Sequence, residues 1–293
     1  MMHLEIITVI IAGVWLLLSF VNYQWDFPIL VLLNRWIRWI LFGCLFSVIY
    51  QRLSDSHQMD SIPLLVSGLL FYALLETIYN WIAIAALSKS GMALFPSFRL
   101  NRDRDEWPAH KRYHEIKDWL RSKPFECRQS IKAQLADSLS IRSSVYEEPE
   151  RKVRLQILFI PQRSGKLSTC YIFSSIASSG RLCITDNVFI PYGGFYPEHW
   201  DIERKPMIRS VQRLYKKHLS RMQTYGDTFE LWQEDPLEDL NAQQKELERI
   251  NVKRGFLMPL EEQEEHGKLS GDGRYRIWKE IWMLNYLGIS SST

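Results

Sequence analysis

The first 88 residues contain no lysine and only three arginines, whereas the rest of the chain is heavily charged. The formal net charge is +3, too small to indicate a nucleic-acid-binding protein. The four cysteines are far apart in sequence, which excludes a disulfide framework and gives no zinc-knuckle spacing. The composition also excludes a collagen-like chain and a mostly disordered one. These features predict a membrane region followed by a soluble region.

Three apolar stretches predict membrane spans at about residues 4–21, 37–51 and 62–87, since a hydrocarbon core of ~30 Å needs ~20 apolar residues. No basic residue precedes the first stretch and no small-residue cleavage site follows it, so we interpret it as a retained helix rather than a signal peptide. Arg35 and Arg38 favour a membrane interface at the start of the second span, where guanidinium groups and indoles are stable. The segment 27–33 then lies in or near that interface.

The basic residues that follow the third span predict the orientation. Lys89, Arg99, Arg102 and further cations form the densest basic cluster beside any span. By the positive-inside rule this side is cytoplasmic, so the N-terminus and the 52–60 loop lie outside. We therefore expect a protein of the plasma (inner) membrane, with a linker at 89–104 and a cytoplasmic domain at 105–293.

Glu76 stands near the middle of the third apolar stretch and needs a partner or a proton there. We expect a neutral side chain hydrogen-bonded to a neighbour such as Tyr79 or Asn80. The alternative is an ion pair with Arg35 or Arg38, or a functional carboxylate inside the membrane.

The soluble region has the pattern of an α+β domain. Short β-branched and aliphatic runs separated by turns predict an antiparallel meander of three strands at 153–160, 167–174 and 181–190. Helical spacing of apolar residues predicts five helices, at 107–122, 125–139, 205–222, 235–252 and 275–287. The last of these is rich in aromatic residues and must bury them against another surface.

Several short motifs have both a functional and a structural interpretation. His110 and His114 stand four residues apart on one helical face, a spacing that suits zinc, although a solvated, lipid-facing surface is the preferred interpretation. Residues 163–167 resemble a phosphate-binding loop, but a hairpin turn explains them better. Gly193 and Gly194 can present backbone amides to an anion, or can serve a close bend in the chain.

The run Ser168-Thr169-Cys170-Tyr171-Ile172-Phe173, then 180–189 and a helix, resembles integral-membrane zinc metalloproteases of the CaaX-prenyl-protease type. The resemblance covers about 70 residues and implies a substrate-binding strand followed by a helix with His-Glu-x-x-His. This chain has Leu214-Tyr215-Lys216-Lys217-His218 there, so only His218 matches a ligand position. Zinc needs about three protein ligands. The alternative for His218 is an exposed histidine on the helix surface.

The sequence thus predicts an α-helical membrane region of three spans followed by an α+β cytoplasmic domain with a small antiparallel meander. We expect the domain to act through protein–protein contacts, without catalysis or a cofactor, with the lipid bilayer and a protein as partners and no nucleic acid. The alternative is a membrane-bound relative of the zinc metalloproteases. It either binds zinc and is active through unrecognised ligands, or is catalytically degenerate and holds an extended peptide at the edge of the 153–190 strands. A third interpretation makes residues 99–123 a sensor of lipid headgroups.

Overall fold

The computed structural model describes residues 2–25, 27–54, 60–102, 107–108, 111–136, 139–162 and 167–291. The chain divides into two compact units. Met1–Ala86 and Ile281–Gly288 form the first, which we call the membrane unit. Leu87–Glu280 and Ile289–Thr293 form the second, the α+β unit.

The membrane unit is built on three long helices, α1 (Met2–Trp25), α2 (Pro28–Leu53) and α3 (Ser61–Lys89). All three are long and apolar enough to cross a membrane, which agrees with the predicted membrane protein. Helix α2 begins at Pro28, before the start of the predicted span at residue 37. Proline is favoured in the first turn of a helix, which explains where α2 begins.

Polar contacts pair α1 with α2 along their length. Glu5 forms an ion pair with Arg52 at 2.5 Å. Nearer the other end of α1, the Asn34 amide nitrogen donates to the Ser19 hydroxyl at 3.1 Å. These contacts set the two helices antiparallel, with most of their large apolar side chains exposed as a lipid-facing surface requires.

The α+β unit is organised around one seven-stranded sheet whose strands follow one another in chain order. All neighbours are antiparallel except β6 and β7, which are parallel. The strands are β1 (Phe98–Leu100), β2 (Glu126–Ala136), β3 (Leu139–Glu147), β4 (Arg154–Pro161), β5 (Leu167–Ile176), β6 (Leu182–Asp186) and β7 (Trp200–Arg204). The helices are α4 (Lys111–Ser122), α5 (Val211–Thr224), α6 (Pro236–Lys253), α7 (Gln263–His266) and α8 (Gly271–Trp282), which continues into a π-helical turn at Met283–Leu287.

Both faces of the sheet are covered, because alternate side chains of each strand point to opposite sides. On one face the buried cluster joins α4 and α5 to the central strands; it includes Ile116, Leu120, Leu214, Ile157 and Phe173. On the other face, Leu240 of α6 packs against Ile131 and Val145, and Trp232 packs against Leu182 and Ile184. The α+β prediction is confirmed, and β4, β5 and β6 form the expected antiparallel meander.

The helix predicted at 125–139 is wrong, since this segment forms β2 and the start of β3. Ile131 and Ala133 are both fully buried, and Ser130, Lys132 and Gln134 alternate with them. That alternation of period two belongs to a strand with one buried face. The sheet also uses part of the expected linker, because Phe98–Leu100 is β1 and pairs with β2.

Two other helices have different bounds from those predicted. Residues 200–204 join the sheet as β7, and the following helix begins only at Val211, after Ser210 caps it by accepting a hydrogen bond from the Arg213 amide. The last helix begins at Gly271 and its regular part ends at Trp282.

Candidate functional site

A polar cluster in the membrane unit surrounds Glu76. Its Oε2 accepts hydrogen bonds from the Trp39 indole at 3.1 Å and from the Tyr286 hydroxyl, and its Oε1 lies 3.9 Å from an Arg38 guanidinium nitrogen. The expected hydrogen bonding of Glu76 to neighbouring elements is observed, but the donors are Trp39 and Tyr286 and not Tyr79 or Asn80. Arg38 lies at ion-pair distance, and the neutral state of Glu76 stays a prediction. The reason is geometric: α2 and the C-terminal segment bring stronger donors to this side of α3.

The segment Ile281–Gly288 packs its aromatic side chains onto α2. The rings of Trp282 and Tyr286 lie 5.7 and 5.4 Å from the Trp39 ring. The Trp36 indole also donates to the Tyr286 carbonyl at 3.1 Å. This burial is what the aromatic C-terminal sequence predicted. Because the Tyr286 hydroxyl donates to Glu76 and the Tyr286 carbonyl accepts from Trp36, the cluster fixes the C-terminal segment to the membrane helices.

His218 is fully buried in the α+β unit, so the alternative of an exposed histidine is wrong. It lies four residues after Leu214 and seven after Val211, on the face of α5 that packs against the sheet. Its Nε2 and Nδ1 each lie 3.0 Å from a hydroxyl, those of Ser175 and Thr185 respectively. Burial, with a smaller contribution from the nearby Arg221 charge, lowers the pKa of His218 to about 3.

The two other residues considered for metal binding are His110 and His114. His114 is exposed on α4, and His110 lies outside the described residues. Within the described ranges, no group of three or more His, Cys, Asp or Glu side chains is arranged to hold a metal ion. Residues 163–166, the loop with a phosphate-binding appearance, also lie outside the described residues.

The cysteines of the sheet are poor nucleophiles. Cys170 and Cys183 are completely buried in β5 and β6. Burial raises the pKa of Cys170 to about 12 and that of Cys183 to about 11. Since the thiolate is the reactive form, both side chains act as small apolar residues of the core.

Gly193 and Gly194 serve close packing. A Cβ at Gly193 would lie 2.5 Å from the backbone carbon of Arg276, and one at Gly194 would lie 2.5 Å from the Asn251 side-chain oxygen. That oxygen instead accepts a hydrogen bond from the Phe195 amide at 2.7 Å. The loop therefore needs glycine because α6 and α8 approach its backbone.

A cleft of about 340 Å³ opens beside the ends of β5, β6 and β7, against α6. Among the described residues that line it, three carry carboxylates and none is lysine or arginine. The lining consists of Ile176, Gly180, Leu182, His199, Trp200, Trp232, Glu234, Asp239, Ala242, Gln243 and Glu246. We call this site the acidic cleft.

One face of α6 supplies four of the lining residues. Asp239, Ala242, Gln243 and Glu246 stand at i, i+3, i+4 and i+7, the positions that share one side of a helix. Asp235 caps this helix by accepting hydrogen bonds from the Leu237 and Glu238 amides, which fixes where the face begins.

The wall of the acidic cleft opposite α6 is formed at the start of β7. The Trp200 indole nitrogen donates to Nε2 of His199 at 3.0 Å, and the same Nε2 lies 3.8 Å from Glu246. An Nε2 that accepts from Trp200 carries no proton, so it donates no hydrogen bond to Glu246.

Two lining residues of the acidic cleft, Trp232 and Asp239, already hold a guanidinium, that of Arg154. It lies 3.8 Å above the Trp232 ring and forms bonds to Glu147 at 2.9 Å and to Asp239 at 2.5 Å. It also donates to the Glu234 carbonyl at 3.0 Å. Arg154 is thus stabilised by an indole face and two carboxylates, the pairing that suits a delocalised cation.

The acidic cleft was not found from the sequence. The spacing of Asp239, Gln243 and Glu246 on a predicted helix was a usable signal. The contribution of Trp200 to the cleft wall could not be predicted, because the sequence pattern does not indicate that residues 200–204 form a strand. No protein-family model, curated protein or solved structure matches the chain.

Proposed function

We propose that this is a membrane-anchored binding protein whose α+β unit recognises a protein partner and carries out no catalysis of its own. The observation that supports the proposal is the acidic cleft: an open site lined by carboxylates and indoles beside an edge of the sheet. Sites of this kind supply binding energy through aromatic contact area and charge complementarity.

The groups most suited to catalysis are engaged inside the fold, which also favours a binding role. His218 has both ring nitrogens beside hydroxyls, and its low pKa makes it a weak base. Asp186 is buried and paired with Arg204 at 3.0 Å. These contacts maintain the core and present no reactive group to a substrate.

The peptide site expected at the edge of the 153–190 strands needs revision. The prediction that these strands have a free edge is wrong, because β4 pairs with β3 on one side and β6 pairs with β7 on the other. The edge strands of the sheet are β1 and β7. Of these, β7 begins with Trp200 in the wall of the acidic cleft, so β7 is the edge that we propose for peptide binding.

Photocrosslinking from the acidic cleft tests the proposal. A photoreactive amino acid would replace Ala242, which lines the cleft, in the full-length protein in its native membranes. The matched control carries it at Glu248, an exposed position elsewhere on α6. We expect a discrete crosslinked protein from position 242 and none from 248. The same pattern from both positions, or no crosslink from 242, would overturn the proposed function.

We propose further that the N-terminus lies outside and the α+β unit is cytoplasmic, in the plasma (inner) membrane. The support is the concentration of basic residues after α3. Cys127 is an exposed thiol of β2 and reports on this orientation. A membrane-impermeant thiol reagent should label it in inverted vesicles and not in right-side-out vesicles. Labelling only in right-side-out vesicles would reverse the topology.

A further inference from the structure

We infer that the acidic cleft is a receptor for one guanidinium group, that of an arginine side chain on the protein partner. The inference rests on the proposed function and adds the chemistry by which the partner is recognised. Its basis is the set of side chains that the cleft presents: the carboxylates of Glu234 and Glu246 with the indole of Trp200.

The two carboxylates have unused hydrogen-bonding capacity. Among the residues that the structure describes, none donates a hydrogen bond to the side chain of Glu234 or Glu246. The nearest cations to Glu246 are Arg249 and, when protonated, His199, each at 3.8 Å and so beyond hydrogen-bond length. Each ionised carboxylate therefore has its lone pairs available for an incoming donor.

The surroundings would strengthen a cationic contact. Ile176 and Leu182 line the same cleft and give it apolar surface beside the carboxylates. Charged hydrogen bonds gain strength where the local dielectric is low. An aromatic face within about 6 Å of a guanidinium adds a further attraction, and indole is the strongest of the aromatic side chains in this respect.

Arg154 provides an internal precedent for the geometry. Its guanidinium lies over the Trp232 indole and is paired with the carboxylates of Glu147 and Asp239. The open part of the cleft has the same two kinds of group, an indole and a pair of carboxylates. A guanidinium is preferred over an ammonium because its planar fork can donate to two carboxylates and lie over an aromatic face at the same time.

The volume of the cleft also limits the size of the group that it can bind. Its volume of about 340 Å³ is at the lower end of the ~300–1,000 Å³ typical of small-molecule sites. A single long side chain suits this volume, and β7 supplies an adjacent strand edge for the partner backbone.

Calorimetric titration of the detergent-purified full-length protein tests the inference. The probe is a pentapeptide with one arginine flanked by glycines, and its control replaces arginine by citrulline, a neutral group of the same shape. We expect the citrulline peptide to bind at least ~tenfold more weakly, since each charge-assisted hydrogen bond contributes about a factor of ten or more. Equal binding of the two peptides, or no binding of either, would overturn the inference.

Variants localise the binding to the cleft. The double substitution Glu234→Gln and Glu246→Gln keeps the side-chain shapes, so we expect an unchanged melting temperature and a loss of affinity of ~tenfold or more. Glu248→Gln removes a carboxylate from the same helix outside the cleft and should leave the affinity unchanged. An affinity that the double variant does not reduce would contradict the site.

The two proposals can fail separately. A protein crosslinked from position 242 together with no preference for the arginine peptide would refute the guanidinium ligand and leave the binding function intact. Agmatine serves as the probe for a free amine ligand. Two results together would refute a protein as the source of the guanidinium group. These are agmatine binding as tight as that of the arginine peptide, and the absence of any protein crosslinked from position 242.

Discussion

The buried His218 makes the stability of the α+β unit sensitive to acid. Its pKa is about 3 in the folded chain, against an ordinary value of 6.5 in the unfolded chain. Because the folded pKa is the lower one, the unfolded state binds the proton first. The stabilising contribution is complete above pH 6.5 and is lost progressively as the pH falls towards 3.

The size of the effect follows from this difference. Each pH unit below 6.5 costs up to ~1.4 kcal/mol of the free energy of unfolding, so the loss at pH 5 is ~2 kcal/mol. In a domain of this size, that corresponds to a fall in melting temperature of ~4–8 °C. Burial is the main cause of the preference for the neutral ring, and the hydrogen bonds fit that form. The Ser175 hydroxyl donates to Met222 and so accepts from Nε2, while the Thr185 hydroxyl accepts from Arg221 and so donates to Nδ1.

The assay follows exposure of the buried thiols of Cys170 and Cys183 during heating, with a thiol-reactive dye. Cys127→Ser provides the background because Cys127 is exposed before unfolding. In this background His218→Gln should lower the melting temperature at pH 7.5 and flatten its dependence on pH between 6.5 and 5. His114→Gln, at an exposed position, should keep the full dependence. A His218→Gln protein that loses as much stability at pH 5 as the parent would refute the reasoning.

Three further substitutions test the packing of the fold. Arg154→Ala removes the buried partner of Glu147 Oε1 and of Asp239 and should cost ~3 kcal/mol of unfolding free energy in chemical denaturation, whereas Arg151→Ala, at a half-exposed ion pair, should cost less than ~1 kcal/mol. Tyr286→Phe removes a hydrogen-bond donor to the Glu76 side chain and should speed hydrogen exchange at Met283–Leu287; an unchanged exchange rate would contradict the anchoring role of that hydroxyl. Gly193→Ala should cost ~1–3 kcal/mol because its Cβ meets backbone, whereas Gly91→Ala has open space and should change stability by less than ~0.5 kcal/mol; equal effects of the two would refute the close-packing account.

The resemblance to zinc metalloproteases stays a prediction, with His218 as its one matching ligand position. Metal analysis of the purified full-length protein tests it. We expect no stoichiometric zinc, since both ring nitrogens of His218 lie beside hydroxyls. One zinc per chain would support the metalloprotease alternative and contradict our account of this histidine.

The membrane region could be predicted from the sequence because the apolar stretches are long and their signal is strong. The strands β4, β5 and β6 were also predictable, since each is a short β-branched or aliphatic run between turns. The failure at 125–139 has a physical cause. The apolar residues Ile131 and Leu135 are four apart, which suits a helix, and the tertiary burial of Ile131 and Ala133 decided for a strand.

The sites were less accessible to sequence reasoning than the fold. The lysines beside His218 favour an exposed side chain. Its position seven residues after Val211 instead indicates the buried face of α5, which is where the structure has it. The acidic cleft is formed where α6, Trp232 and the start of β7 come together, and its lining residues are spread over the sequence from 176 to 246. No local pattern encodes such a meeting, so only the three-dimensional structure reveals it.

The central claim is that the acidic cleft recruits a protein partner to the membrane. The most direct test is quantitative affinity purification of the full-length protein from its native membranes, comparing wild type with the Glu234→Gln, Glu246→Gln double variant. Glu261→Gln with Glu264→Gln removes two exposed acids elsewhere and serves as the matched control. Our account predicts a protein that copurifies with wild type and control and is lost from the cleft variant. Equal recovery of every copurifying protein from all three would contradict it.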